Sequence, residues 1–171
     1  RASIYYYAES KEALFREIAL DAIRENATEI QNISRSSLPA TEKIRRAIQA
    51  LMSSYERTYP HLFVYIQEEM EHVLQSRNST VMDAHERAVL SELFEHSRDY
   101  LRHLELLVQE GIDAGEFIAG DSRLLALGIQ GMINWTHRWY RPEGRFPAHQ
   151  IADTFANLTL EGLKVRMSQS E

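Results

Sequence analysis

The spacing of apolar residues between positions 44 and 55 constrains the fold more than any other feature of this sequence. Apolar side chains recur there at intervals of three and four, which places them on one face of a helix. They are Ile44, Ala47, Ile48, Leu51, Met52 and Tyr55. Glycine and proline are scarce, with 7 and 4 among 171 residues. Since no stretch alternates apolar and polar residues long enough for a sheet, we predict an all-α protein.

Similar periods, with turn signals between them, predict seven helical segments. They cover about residues 1–7, 10–33, 41–59, 61–75, 80–114, 121–140 and 147–167. Ala8, Glu9 and Ser10 are predicted to form a turn in which Ser10 caps the second helix. Gly115 is predicted to end the fifth helix and Asp121 to cap the sixth.

Composition narrows the function classes. The net charge of -6 argues against a protein that coats nucleic acid over its whole surface, although a small DNA-reading patch remains possible. With no cysteine, disulfides, thiolate zinc sites and cysteine nucleophiles are excluded. Without a signal pattern or an apolar run of about 20 residues, we expect a cytoplasmic chain with no membrane segment. Because it opens inside a patterned segment, we also expect native residues before Arg1.

Seven histidines raise the possibility of a metal site or an enzyme. Glu68 and His72 stand four residues apart, and His96 and His103 stand seven apart, so each pair could share a helix face. Neither spacing is a recognised metal motif. The sequence also lacks a nucleophile elbow, a phosphate-binding glycine loop and a dinucleotide fingerprint. We therefore predict no catalytic residues, no metal and no cofactor.

The stretch Ser3–Phe15, S-I-Y-Y-Y-A-E-S-K-E-A-L-F, resembles the end of the DNA-binding domain in TetR/AcrR-type transcriptional regulators. In that family a tyrosine-rich segment ends the recognition helix, and a Ser/Asn-Lys pair opens the next helix. The resemblance implies that residues 1–32 are the remnant of a helix-turn-helix domain and its connecting helix. Residues 33–171 would form a helical-bundle domain for effector binding and dimerisation.

Position by position, the resemblance also implies which residues contact double-stranded operator DNA. Arg1, Ala2, Ser3, Tyr6 and Tyr7 would face base edges in the major groove, while Tyr5 and Lys11 would hold backbone phosphates. Two copies of such a reader are needed for a palindromic operator.

The C-terminal part resembles a branch of the family that includes acyl-CoA-responsive repressors. Two segments carry this resemblance, residues 131–142 (G-M-I-N-W-T-H-R-W-Y-R-P) and residues 151–163. It implies a homodimer through the last two helices, with Gly128 and Gly131 allowing close approach. Alternatively, these glycines and the pair Trp135 and Trp139 serve only packing within one chain.

A sensor also needs a cavity, and the central helices supply a mainly apolar set of residues with a few polar groups. The predicted ligand-binding residues are Tyr55, Tyr59, Phe63, Gln67, Met70, Phe94, Ser97, Tyr100, Trp135 and Arg138. For each of them ordinary core packing is the alternative. The implied effector is a small apolar or amphipathic molecule, such as an acyl-CoA or another apolar acid derivative.

We therefore predict a ligand-responsive transcriptional regulator, a repressor released from its operator by the effector. The alternative is a helical small-molecule carrier or enzyme without DNA binding, whose opening segment only mimics the motif.

Overall fold

The computed structural model describes the backbone of residues 2–59 and 84–165 and the side chains of residues 17–59, 88 and 91–165. Five α-helices lie within these ranges, and a short 3-10 helix, Trp135–Arg138, follows the fourth. They are α1 (Ala2–Arg35), α2 (Ala40–Thr58), α3 (Ala84–Asp113), α4 (Ser122–Asn134) and α5 (Ala148–Leu163). The described ranges contain no strand, only an isolated bridge between Phe117 and Lys164. The all-α prediction is confirmed, and the helix predicted for residues 61–75 lies outside the described residues.

The predicted turn at Ala8–Ser10 is wrong, because α1 continues through it as one helix of 34 residues. Nothing in this stretch breaks a helix: Ala8 and Glu9 are strong helix formers, and a serine inside a helix costs only about 0.5 kcal/mol relative to alanine. The chain leaves helical geometry only after Arg35, where Ser36–Leu38 bend before Pro39. The proposed domain boundary near residue 32 therefore falls inside a continuous helix.

The centre of the core is α2, which packs against α1, α3 and α5. Its apolar face is the one predicted from the spacing, and Ile44, Ile48 and Met52 are fully buried there. Each such side chain contributes about 1.5–3 kcal/mol by leaving water. On the same helix Arg45 donates a hydrogen bond to Asn157 and Gln49 donates one to Asp153, so the polar side of α2 holds α5.

Two carboxylates of α3 and the loop after it hold the start of α2. Pro39 offers no side-chain cap, and instead the Glu116 carboxylate accepts hydrogen bonds from the backbone N–H groups of Ala40 and Thr41, at 3.1 and 2.9 Å. These bonds, the one from Thr41 N–H first, hold the pKa of Glu116 below its ordinary value. The buried Lys43 ammonium donates to the Glu110 carboxylate at 2.8 Å and to the Ser34 carbonyl at 3.1 Å. The ends of α1 and α3 are thereby joined to the beginning of α2.

The end of α3 and the start of α4 match the sequence signals. Gly115 has a φ of 71°, the left-handed conformation that glycine accepts without strain. The Asp121 side chain accepts a hydrogen bond from Leu124 N–H at 2.8 Å and so caps α4 as predicted. Phe117 folds back over Gly111, where a Cβ atom would overlap its ring. This close approach places Ile118 beside α5, where its N–H donates to the Leu163 carbonyl at 2.7 Å.

Candidate effector site and dimer face

The predicted DNA-contacting positions, apart from Arg1, lie on the first third of α1. Residues 2–11 and the core residues Ala19, Ala22 and Ile30 belong to the same continuous helix. The side chains of residues 2–16 and the whole of Arg1 lie outside the described residues. The positions proposed to contact DNA are therefore joined to the core without an intervening turn.

Ion pairs fasten α1 to the helices that carry the predicted ligand residues. The Arg24 guanidinium donates to the Glu92 carboxylate on α3 at 2.7 and 2.5 Å and to Asp21 at 3.1 Å. This hydrogen bond from Arg24 lowers the pKa of Glu92. Arg57 on α2 reaches Glu25 on α1 at 3.5 Å. Any displacement of α1 relative to α3 has to rearrange the Arg24–Glu92 pair.

Tyr55 on α2 and Tyr100 on α3, two of the predicted ligand residues, are both buried in the core. Only 8% of Tyr55 and 7% of Tyr100 are exposed. The Tyr100 hydroxyl lies 3.4 Å from the Ala47 carbonyl, to which it donates, and the Tyr55 hydroxyl donates to the Asn134 side-chain oxygen at 2.9 Å. Burial raises the pKa of both phenols, so both are neutral at physiological pH.

Asn134 and His137 both contact Tyr55, and no motif in the sequence pointed to either of them. The His137 ring lies against the Tyr55 ring, with centroids 3.9 Å apart and planes tilted by 44°. Burial lowers the pKa of His137 to about 4, so its imidazole is neutral at pH 7. Both residues lie within a segment noted only for its family resemblance. Their spacing of three places them on one side of the helix end, and that was the signal available in the sequence.

Tyr59, at the end of α2, lies beside the loop that follows the 3-10 helix. Its ring meets Tyr140 edge-on with centroids 6.0 Å apart, and the Arg141 guanidinium lies 6.0 Å from the Tyr59 centroid. Tyr140 is buried, and its hydroxyl lies 3.5 Å from Glu56. Burial, followed by the neighbouring Glu56, raises the pKa of Tyr140. Buried and half-buried aromatic rings thus lie beside the ionisable groups of Glu56 and Arg141.

The remaining predicted ligand residues do not join this cluster. Phe94 is 50% exposed on α3, and Ser97, one turn further along, is also exposed. Trp135 is 61% exposed, and the exposed Arg138 guanidinium lies 5.1 Å from its ring centroid. Phe63, Gln67 and Met70 lie outside the described residues.

One side of α4 presents apolar and small residues to solvent. Leu124, Leu127, Gly128 and Gly131 are all exposed, and the helical period places them within about 100° of one another. We call this set the α4 face. Leu124 is 68% exposed, and on α5 Leu158 is 66% exposed. A leucine-rich helix face of this kind in water is typical of a protein–protein contact.

Metal and membrane readings find no support in the described part of the chain. No group of three or more possible metal ligands occurs among the described residues. Glu68 and His72, the pair that stands four residues apart, lie outside them. His96 lies 3.6 Å from Glu92, beside the Arg24 pair. Among the helices in these ranges, none has the length and apolar character needed to cross a membrane.

A comparison with protein families decides the family. The family described as "Tetracyclin repressor-like, C-terminal domain" matches residues 37–163, which is most of the chain. The chain belongs to the TetR family. This confirms the sequence-based assignment, and TetR-family proteins are ligand-responsive, DNA-binding transcriptional regulators that are generally not enzymes.

Solved structures of TetR-family proteins share the fold. PfmR from Thermus thermophilus superposes with a TM-score of 0.74 at 24% identity, over 96% of this chain and 82% of that one. FadR from Bacillus subtilis, in complex with stearoyl-CoA, gives 0.64 at 20% identity, over 95% and 81%. AibR, in complex with isovaleryl coenzyme A and operator DNA, gives 0.63 at 18% identity, over 92% and 78%. A search of curated proteins gave no match.

Proposed function

We propose that this TetR-family regulator is a homodimeric repressor, released from a palindromic operator when an acyl-CoA or a related apolar acid derivative binds. The observation that carries the proposal is the continuity of α1 from Ala2 to Arg35. A helix that begins at the proposed reading residues and ends in the core transmits a displacement directly. A movement of α3 can reach α1 through the Arg24–Glu92 ion pair.

In this proposal the DNA contacts are those implied by the family resemblance. Arg1, Ala2, Ser3, Tyr6 and Tyr7 face base edges, and Tyr5 and Lys11 bind phosphates. In a helix, positions 3, 6 and 7 lie within one turn of each other, so one face can enter the major groove. A protein that reads an operator works beside the chromosome, which supports a cytoplasmic location.

The proposed dimer interface is the α4 face with the exposed side of α5. In support, a Cβ atom added to either glycine of the α4 face would contact nothing within 4 Å in one protomer. Gly128 and Gly131 let a partner helix approach closely, while Leu124 and Leu127 fill the space beside them. A two-fold interface also supplies the pair of readers that a palindrome requires.

The proposed effector site begins at Tyr55 and Tyr100 and opens towards Trp135 and Arg138. Aromatic walls suit an apolar chain, and an exposed arginine beside an exposed tryptophan suits an anionic group that stays in water. The acyl-CoA complexes of FadR and AibR support this class of effector for a chain of the same fold. Tyr59 also belongs to the proposed effector site. The other predicted contacts are Phe63, Gln67, Met70, Phe94 and Ser97.

The experiment is a fluorescence-anisotropy titration of a palindromic DNA duplex that the full-length protein has selected from random sequence. Removing Tyr6 and Lys11 together, as Tyr6→Ala with Lys11→Ala, should weaken binding by at least about 30-fold, since each contact is worth about 1–3 kcal/mol. Losing the Lys11 phosphate contact should also reduce the salt slope by about 1. Glu29→Ala, at an exposed position further along α1, is the matched control and should bind normally. Unchanged binding by the double variant would sink the assigned reading face.

A further inference from the structure

Tyr55 is a buried residue whose hydroxyl is hydrogen-bonded to an exposed polar side chain. Its ring is buried in the core, whereas its hydroxyl donates to Asn134, which is exposed. The His137 ring also contacts Tyr55, with the two ring centroids 3.9 Å apart. Asn134 and His137 are three residues apart where α4 passes into a 3-10 turn, in which side chains three apart nearly eclipse. We call these three residues the Tyr55 cluster.

The Tyr55 cluster has hydrogen-bonding groups left over. Asn134 uses its side-chain oxygen to accept from Tyr55, so both hydrogens of its amide nitrogen remain. Among the described residues, neither that nitrogen nor the ring nitrogens of His137 bonds to a protein atom. A neutral imidazole adds one further N–H donor. Since His137 is only half-buried and Asn134 is exposed, a molecule arriving from outside can reach these donors.

The cluster is also uncharged. Tyr55 and Tyr100 keep their protons and His137 stays neutral, for the same reason of burial. In the described part of the chain, no hydrogen bond or ion pair links a cation to Tyr55, Asn134 or His137. An ionised carboxylate or phosphate placed here would lose hydration without gaining a counter-ion. A neutral carbonyl oxygen meets no such penalty and accepts from two donors at once.

We propose that the Tyr55 cluster binds the carbonyl oxygen of an acyl thioester, with Asn134 and His137 as donors and the acyl chain running inward past Tyr55 towards Tyr100. The charged remainder of the effector stays outside, where Trp135 and Arg138 are exposed. This inference rests on the proposed effector response and deepens it, because it assigns recognition of the thioester to two residues outside the predicted set. It also makes the free fatty acid a poor effector.

The test compares acyl-CoA thioesters with thioethers in which a CH₂ group replaces the carbonyl. Butanoyl-, decanoyl- and octadecanoyl-CoA are each titrated by calorimetry against the full-length protein, beside their S-alkyl counterparts and the free acids. A net hydrogen bond is worth about 0.5–1.5 kcal/mol, so with two donors the thioester of the preferred chain length should bind about tenfold more tightly than its thioether. Asn134→Asp, which keeps the acceptor for Tyr55 but removes the Asn134 donors, should reduce that preference about threefold. His137→Phe, which keeps the ring contact, should reduce it severalfold.

The matched control is Asn157→Asp, at an exposed asparagine on α5 that pairs with Arg45, and it should keep the full preference. Thermal melting of each variant within a few degrees of the wild type shows that the fold is retained. A thioester preference that survives both Asn134→Asp and His137→Phe would overturn the proposal. Equal binding of thioester and thioether by the wild type, or binding of no CoA probe, would also overturn it. If the wild type then still binds the selected palindrome, only the thioester proposal fails and the assignment as a DNA-binding regulator holds. If the wild type does not bind DNA, the proposed function itself is contradicted.

Discussion

Replacing Gly128 by alanine is predicted to act in opposite directions on the protomer and on the dimer. Gly128 lies inside α4, and an added Cβ would meet nothing within 4 Å in one protomer. Glycine inside an exposed helix costs about 0.8–1 kcal/mol relative to alanine, so Gly128→Ala should stabilise the protomer by about that amount. Gly131 has the same surroundings and should behave in the same way.

In the proposed dimer the same methyl group points at the partner helix. Overpacking a close contact costs about 1–3 kcal/mol, and a two-fold axis repeats the change on both sides of the interface. Two such sites add up to about 2–6 kcal/mol per dimer, which corresponds to a dissociation constant at least about 30-fold higher. The Gly128→Ala, Gly131→Ala double variant should be almost entirely monomeric at micromolar concentration.

The assay is sedimentation equilibrium for the dissociation constant, combined with urea unfolding at several protein concentrations to separate protomer stability from association. Ser91→Ala, at an exposed position of α3 away from the α4 face, is the control. It should raise protomer stability by a few tenths of a kcal/mol and leave association unchanged. If Gly128→Ala stabilises the protomer and leaves the dissociation constant unaltered, the α4 face is not the interface.

Three further changes test the packing and the charges. Gly111→Ala should destabilise the protein by about 1–3 kcal/mol in urea unfolding, because its Cβ overlaps the Phe117 ring; equal stability would show that Phe117 has another place to pack. Glu116→Ala should cost about 1–2 kcal/mol at pH 7. Because the folded pKa of Glu116 is lowered, this contribution exists above its unfolded pKa and disappears as the pH falls, so wild type and variant should converge in acid. His137 protonates more readily in the unfolded chain, so wild-type stability should fall by about 2–3 kcal/mol between pH 6.5 and about 4, and His137→Phe should flatten that part of a stability-against-pH curve.

The parts of the fold that follow from local patterning were predictable. The face of α2, the Asp121 cap and the left-handed Gly115 depend on residues within a turn or two of each other. The turn predicted at Ala8–Ser10 was wrong because a serine that can cap a helix is also tolerated inside one, and the residues there favour a continuous helix. The cap on α2 could not be predicted, since Glu116 lies 75 residues from Thr41 and its role exists only once α3 has packed.

In the candidate site, too, residues placed by local pattern were predictable and residues placed by tertiary contacts were not. Apolar period and aromatic character predicted that Tyr55 and Tyr100 point inward on neighbouring helices, and both are buried. Asn134 and His137 were missed because polar residues at a helix end are usually solvated, and only the tertiary contact with Tyr55 gives them a shared position. Trp135 and Arg138 were assigned by residue type, and their exposure fits the outer end of the proposed effector site.

The central claim, that effector binding moves α1 and thereby the two DNA readers, is tested most directly by pulsed electron paramagnetic resonance. The chain has no cysteine, so Glu17→Cys, at an exposed position of α1, places a single spin label on each protomer. With the selected palindrome bound, the account predicts one narrow inter-protomer distance distribution, as required by half-sites about 34–36 Å apart. Adding the acyl-CoA that binds best should shift that distribution and release the DNA together. A distance that stays the same while the DNA is released, or the absence of an inter-protomer signal, would contradict the account.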